Sequence, residues 1–232
     1  RDTDRSRGLG DVYKRQHTVV VPNPDLKPEK SLNYEAGSSF KADGVFGSDD
    51  HLFAKAVFFY DDVKDFIAPK GWFEPTTPPT VYYSSQNVGH VVRKGIELSG
   101  TYAAGQFSTS VSYGLLHAVD KETNERMNGI TPQSANLKLA YAFPAQAINV
   151  WYRAHWSKGG ESSVEDRATG KNLHFSSFLT HSLGAEWSPK VADLANLQAG
   201  IAVVNLFDKE YRMLNGSYGS GRGVRLWLSA QF

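Results

Sequence analysis

The end of the chain alternates strictly between apolar and polar residues. In Val224–Phe232, one set of alternate positions is apolar and the other carries Arg225, Trp227, Ser229 and Gln231. Successive side chains of a strand point to opposite faces, so this segment is predicted to be a strand with one apolar and one polar face. Eight further segments alternate in a similar way. The predicted strands are Leu32–Phe40, Leu52–Tyr60, Val88–Tyr102, Phe107–Val119, Asn136–Phe143, Ile148–Trp156, Phe178–Trp187, Asn196–Val203 and Val224–Phe232. His181 departs from the pattern because it falls on the apolar face of its strand.

The connections between these strands alternate in length. The short ones are 41–51, 104–106, 144–146 and about 188–195, and the long ones are about 63–87, 119–135, 157–177 and 207–222. Short turns at one end of the strands and long loops at the other are typical of outer-membrane barrels, with the turns periplasmic and the loops outside. Together with the aromatic C-terminal residue, this parity predicts an all-β fold, an antiparallel transmembrane β-barrel.

Composition narrows the alternatives. The 232 residues carry a net charge of +1, which gives no electrostatic reason to expect nucleic acid as a partner. The chain has no cysteine, which excludes disulfides and thiolate metal sites. No apolar run approaches the roughly 20 residues of a membrane helix, so a membrane protein of this sequence has to be a closed barrel. No signal peptide is visible, and an outer-membrane protein without one is expected to have lost its N-terminus.

Residues 1–16 have neither a strand period nor a helix period. They resemble the translated sequencing-adapter scars found at the ends of metagenomic reading frames, and a disordered basic tail is the alternative. The predicted division is therefore a non-native or disordered segment at 1–16 and a barrel portion at 17–232.

Five motifs occur in a fixed order across residues 22–232. They are Asn23–Lys30 followed by Asn33–Gly37, Phe58–Ile67, Asn87–His90 with Lys94–Leu98, Val204–Tyr211, and the closing segment Gly221–Phe232. In this order they resemble the C-terminal barrel of TonB-dependent outer-membrane receptors. The prolines of the first motif are expected to rigidify a turn. Asn205 and Asp208 are expected to hydrogen-bond nearby backbone where the strand ends.

The resemblance implies a barrel of about 22 strands around an N-terminal plug, of which this chain supplies about nine. It also implies the partners: the TonB–ExbB–ExbD system through the missing N-terminal part, the barrel-insertion machinery, and outer-membrane lipids. The insertion signal is expected at the closing strand, in Val224, Leu226, Leu228, Ala230 and Phe232.

Such receptors mostly import ferric siderophores, haem or vitamin B12, and some import sugars. A histidine ahead of an "NPDL" box resembles the haem-receptor subset, and His17 lies six residues before Asn23. Histidine is a suitable axial ligand of haem iron. His90 and His174 are further candidates, although each of the three histidines also fits an ordinary loop position. The prediction is import of an iron complex, either a ferric siderophore or haem, as a transported ligand and with no covalently bound cofactor.

The predicted loop 63–87 is rich in aromatic residues. Trp72, Phe73, Tyr82 and Tyr83 occur there among prolines. Aromatic walls suit flat, apolar ligands, so these four residues are candidate ligand contacts, and the alternative is that they stiffen the loop.

Three other functions are compatible with parts of the sequence. A passive outer-membrane porin, or another barrel without TonB coupling, is the main alternative, and a soluble β-sandwich adhesin is a further one. An outer-membrane enzyme would need a nucleophile next to a base such as His155, and nothing marks such a partner. The chain is therefore not expected to be an enzyme.

Overall fold

The computed structural model describes residues 17–74, 80–87, 89–165, 171–190 and 196–231. Nearly all of its regular structure is β-strand. The strands are β1 His17–Val20, β2 Lys30–Asp43, β3 Asp50–Lys64, β4 Ile67–Glu74, β5 Thr80–Asn87, β6 Val91–Ala104, β7 Phe107–Asp120, β8 Gln133–Phe143, β9 Ile148–Ser157, β10 Gly160–Glu165, β11 Asn172–Phe175, β12 Phe178–Trp187, β13 Asn196–Val204 and β14 Gly223–Gln231. A single 3-10 turn is seen in these ranges, at Pro144–Gln146. Within the same ranges, no helix is long and apolar enough to cross a membrane.

The main sheet contains nine strands in the order β14-β13-β12-β9-β8-β7-β6-β3-β2. These are the nine strands predicted from the alternating pattern, so the fold-class prediction is confirmed. The third begins at Val91 and not at Val88, which lies outside the described residues. In the described part of the chain the sheet is a linear series whose edges are β14 and β2, and it is not closed into a barrel.

The register of the sheet keeps the two predicted faces separate. On the polar face, Arg153 is paired with Lys138 on one side and with Ser182 on the other. On the apolar face, Tyr152 is paired with Leu139 and with Leu183. The apolar face is exposed, and Leu226 and Leu228 are each 75% accessible. An exposed row of large apolar side chains indicates a surface that another apolar phase covers.

The best-packed part of the polar face is built from small residues beneath tryptophan rings. Trp151 is 8% exposed and packs with Ala140 and Ala202. It is paired with Gly184, where an added Cβ would lie 2.4 Å from the indole ring. Glycine at this position therefore lets the ring lie flat across the next strand, which explains a buried tryptophan on a polar face.

His181 is accommodated on the apolar face by an aromatic partner. Its Nδ1 lies 2.5 Å from the Tyr152 hydroxyl, and its ring packs edge-on against Phe207 with centroids 5.0 Å apart. The hydroxyl satisfies the polar atom that an apolar neighbour would leave unpaired.

Two of the long predicted connections contain strands of their own. The 63–87 connection forms the β4–β5 hairpin, and β1 pairs with β5 in parallel to give a three-stranded sheet. The 157–177 connection contains the antiparallel pair β10–β11.

The chain divides into two compact units. The first contains the described residues of Arg1–Leu32 together with Asp61–Val92 and Asp120–Glu125. The second contains Asn33–Tyr60, Arg93–Val119 and Arg126–Phe232.

The turn between β2 and β3 is organised by one buried carboxylate. Asp50, 1% exposed, accepts hydrogen bonds from the backbone N–H groups of Val45, Phe46 and Gly47 and from the Tyr102 hydroxyl. Burial acts to raise the pKa of Asp50, but these hydrogen bonds together hold it below the ordinary value.

We expect Asp50→Asn to destabilise the chain at neutral pH and to have a smaller effect in acid. A carboxyl with a lowered folded-state pKa stabilises the fold above its ordinary value of 3.8, and this contribution is lost as pH falls through the folded-state pKa. Urea unfolding of the refolded chain in detergent micelles, at neutral pH and below 3.8, measures the difference. Asp49→Asn is the matched control because Asp49 is exposed. An equal loss of stability in both variants would contradict the role of Asp50.

Candidate functional site

The three-stranded sheet β1-β5-β4 brings together the main-chain positions of five candidate ligand residues. His17 is paired with Thr80, and Trp72 is paired with Tyr82. Phe73 and Tyr83 occupy the neighbouring positions of β4 and β5. Residues distant in the sequence are therefore adjacent along one small sheet in the first unit.

The segment after β1 is tied to the β4–β5 hairpin by side-chain hydrogen bonds to backbone. The Asn23 amide donates to the Ser85 carbonyl at 3.0 Å. Asn87 accepts from the Lys27 N–H at 2.8 Å and donates to the carbonyls of Lys27 and Asp65. The "NPDL" box therefore has a structural role, since it anchors the strand that carries His17 to the hairpin that carries the aromatic residues.

The anchor has a second contact at the start of β4. Glu29 accepts a hydrogen bond from the Ile67 N–H at 2.6 Å. Asn23 also accepts from the Asp25 N–H, which gives the local turn expected next to Pro24. The sheet is thus fixed at the base of its hairpin by groups from the preceding motif.

His90 lies in the same unit and is already engaged. Its Nε2 is 2.7 Å from Asp62 Oδ1, and both side chains are about one-third exposed or less. The His90 carbonyl accepts from the Lys121 N–H. A ligand could bind Nε2 of His90 only by displacing Asp62, and the role of His90 as an iron ligand stays a prediction.

His174 belongs to the second unit, on β11. Its Nδ1 is 3.0 Å from Glu161 Oε1 across the β10–β11 pair, and both side chains are largely exposed. The ring borders a cavity of about 670 Å³. Across the residues that the structure describes, no group of three His, Asp or Glu side chains could hold a metal ion.

The last loop is folded around Asn205, as predicted for this residue. Its Nδ2 donates to the carbonyls of Lys209 and Ser220, and its Oδ1 accepts from the Lys209 N–H, each at 2.9 Å. Asp208 accepts from the Arg222 N–H at 2.7 Å. Both predicted backbone interactions are confirmed, and they give the 205–222 segment a defined path along the cavity.

The sequence did not indicate the other residues around this cavity. Among them are the aromatic and basic residues Phe175, Phe178, Lys209, Tyr211, Arg212 and Tyr218, with Gly219 and Gly221. The only signal was an arginine among aromatic residues in two separate loops, which is too common to indicate a site.

The closing strand β14 places Val224, Leu226, Leu228 and Ala230 as exposed residues on one face at the edge of the sheet. Phe232 lies outside the described residues. Their role as an insertion signal stays a prediction.

Comparison with known proteins assigns the family. A family model described as TonB dependent receptor-like, beta-barrel, matches residues 5–206. The chain belongs to the TonB-dependent receptor β-barrel family. The resemblance predicted from its motifs is thereby confirmed.

The relatives of this chain are named after different ligands. Heme/hemopexin utilization protein C of Haemophilus influenzae is 25% identical over 225 residues, which are 95% of this chain and 31% of the relative. The vitamin B12 transporter BtuB of Photobacterium profundum is 29% identical over 191 residues, covering 82% of this chain and 28% of the relative. The chain thus spans about a third of the length of these relatives.

A solved structure supports the fold. The FrpB iron transporter from Neisseria meningitidis aligns with a TM-score of 0.64 and 21% identity, covering 90% of this chain and 31% of the transporter. At this identity the similarity shows only that the chain shares its fold with the transporter, and nothing about its ligand.

Proposed function

We propose that the chain is the C-terminal part of an outer-membrane TonB-dependent receptor that imports an iron complex, with haem favoured over a ferric siderophore. The observation that carries this proposal is the sheet β1-β5-β4, in which His17 is paired with Thr80, two residues along β5 from Tyr82, the partner of Trp72. The haem-related name of a relative supports the same ligand. A histidine beside aromatic positions is a suitable combination for an iron porphyrin.

The proposed location follows from the apolar face of the sheet. Large apolar side chains there are well exposed, for example Val111 at 50% and Ile201 at 50%. Outer-membrane lipid would remove these side chains from water, as on the outward band of a barrel. TonB–ExbB–ExbD would be engaged through protein outside this chain.

Haemin titration of the refolded chain in micelles tests the ligand. We expect His17→Ala to weaken haemin binding by roughly tenfold or more, since removing even an outer partner of a metal site costs that much. Absorbance in the Soret band reports the iron–imidazole bond. His51→Ala is the matched control, because His51 is exposed and lies at the start of β3, where it pairs with Asp43 at the end of β2.

The outcomes separate the alternatives. Equal binding by both variants would remove His17 as the ligand, and preference for a ferric catecholate over haemin would make the cargo a siderophore. Uptake of either ligand that does not require TonB would indicate a passive porin.

A further inference from the structure

The 670 Å³ cavity of the second unit combines stacked aromatic rings with a cation. It lies between the end of β11 and the last loop. Phe178 and Tyr211 are stacked, with ring centroids 4.1 Å apart and planes 27° from parallel. The cavity has the volume typical of small-molecule sites in proteins, and its wall is already formed by packed rings.

Arg212 and the exposed Lys209 are the cations along this cavity, and Arg212 is the one that contacts its aromatic rings. Its Cζ lies 4.0 Å from the centroid of Tyr218 and 5.6 Å from that of Phe175. The guanidinium also donates to the Tyr218 hydroxyl. Both rings therefore lie within cation–π distance of the guanidinium, which limits the positions open to it before binding.

The guanidinium keeps donors available for an anion. In the part of the chain that the structure describes, no ion pair joins Arg212 to a carboxylate. Of the two acidic residues along the cavity, Asp208 accepts the Arg222 N–H and Glu210 is exposed. A guanidinium has five N–H donors, and a ligand carboxylate can take two of them at once.

Glycine residues fix the shape of the cavity. At Gly219 an added Cβ would lie 2.1 Å from the Tyr211 ring, and the Gly219 N–H donates to the Tyr211 carbonyl at 2.9 Å. At Gly159 an added Cβ would lie 2.1 Å from the Phe175 carbonyl oxygen. The backbone thus comes close to the Tyr211 ring at Gly219 and to the Phe175 main chain at Gly159, where only glycine fits.

We propose that this cavity is a binding site for a planar conjugated carboxylate, whose ring system stacks on the aromatic wall and whose carboxylate binds Arg212. A porphyrin dicarboxylate has this chemistry. The inference that the bound molecule is the imported ligand rests on the proposed function, whereas the site itself does not.

Binding of metal-free protoporphyrin IX to the refolded full chain in micelles tests the site. The probe has no iron, so ligation by His17 cannot contribute, and fluorescence anisotropy measured against empty micelles gives Kd. We expect Arg212→Gln to raise Kd roughly tenfold, the usual effect of losing a charged hydrogen bond. Arg212→Lys keeps the charge but loses the planar fork of the guanidinium, so its Kd is expected to lie between those of the parent chain and Arg212→Gln.

Controls make the result decisive. Arg225→Gln removes an exposed arginine on the polar face of β14, outside the cavity, and is expected to leave Kd unchanged. The dimethyl ester of the porphyrin, which lacks the carboxylates, is expected to bind the parent chain as weakly as the acid binds Arg212→Gln. Gly219→Ala, which displaces Tyr211 and keeps Arg212, is expected to weaken both porphyrins.

Equal affinity for acid and ester, or an unchanged Kd in both Arg212 variants, would overturn the proposal. Loss of haemin ligation in His17→Ala with intact porphyrin binding would support both sites separately. Intact haemin ligation with no Arg212 effect would overturn this site and leave the proposed function standing.

Discussion

Replacing Gly184 by alanine is expected to lower the free energy of unfolding by about 3 kcal/mol, the upper range for overpacking a filled site. The new Cβ would lie 2.4 Å from the Trp151 ring and 2.9 Å from the Ile201 carbonyl oxygen. The ring cannot yield without leaving the cluster it forms with Ala140 and Ala202. The carbonyl belongs to the neighbouring strand β13, so the sheet backbone would also have to move.

Gly114→Ala is the matched control for this substitution. Gly114 also lies within a strand of the main sheet, yet its nearest neighbour to an added Cβ is the Ser134 hydroxyl at 3.7 Å, an ordinary contact. We expect its effect to stay within about 0.5 kcal/mol, the range for a substitution without a named strain. Urea unfolding in micelles followed by tryptophan fluorescence measures both variants. Similar losses in the two would show that the flat Trp151 packing is unimportant.

Asn205→Ala is expected to cost about 3 kcal/mol and to release the last loop. The residue is 5% exposed and has φ of +48°, a left-handed conformation that alanine adopts poorly. Removal of the amide also leaves the backbone groups of Lys209 and the Ser220 carbonyl without partners. Lys209 and Ser220 are exposed, so water can replace part of these hydrogen bonds, and each lost bond costs about 0.5–1.5 kcal/mol.

Two further variants separate these causes. Asn205→Gly keeps the backbone conformation and loses the hydrogen bonds, so it is expected to recover only the conformational part of the loss. Asn215→Ala is the control, because Asn215 is exposed in the same loop and makes one local hydrogen bond, to the Ser217 N–H. Hydrogen exchange of 206–222, together with urea unfolding, reports both effects. Protection of the loop in Asn205→Ala equal to that of the parent would contradict the anchoring role.

The sequence predicted the main sheet because membrane strands have two faces of opposite character. This contrast persists along each strand, and the register pairs like with like, as in Lys138 beside Arg153. The loop strands carried no such contrast. β4 contains Pro69 and Gly71, which weaken a strand pattern, and β1 is only four residues long and gains its place by pairing with β5.

The candidate site residues likewise fall into those that the sequence indicated and those that only the fold brings together. His17 and the aromatic residues of 63–87 could be proposed because histidine and clustered rings have recognisable chemistry. Arg212 could not, because its aromatic neighbour Phe175 lies on a different loop and only the fold brings the two together. The partner of His90, Asp62, was likewise hidden because it lies on the far side of the β4–β5 hairpin in sequence.

If the strands of the loops are left out, each strand of the main sheet lies next to the strand that follows it in the sequence. Such a meander places no crossing connection over another, so the length of a loop does not alter which strands are neighbours. Each doubling of a flexible connection costs only about 0.6 kcal/mol in closure entropy. Insertions and exchanges in the loops after β3 and β9 should therefore cost the main sheet little stability. A chain built this way can accept new loop sequences while the pairing of its strands stays unchanged.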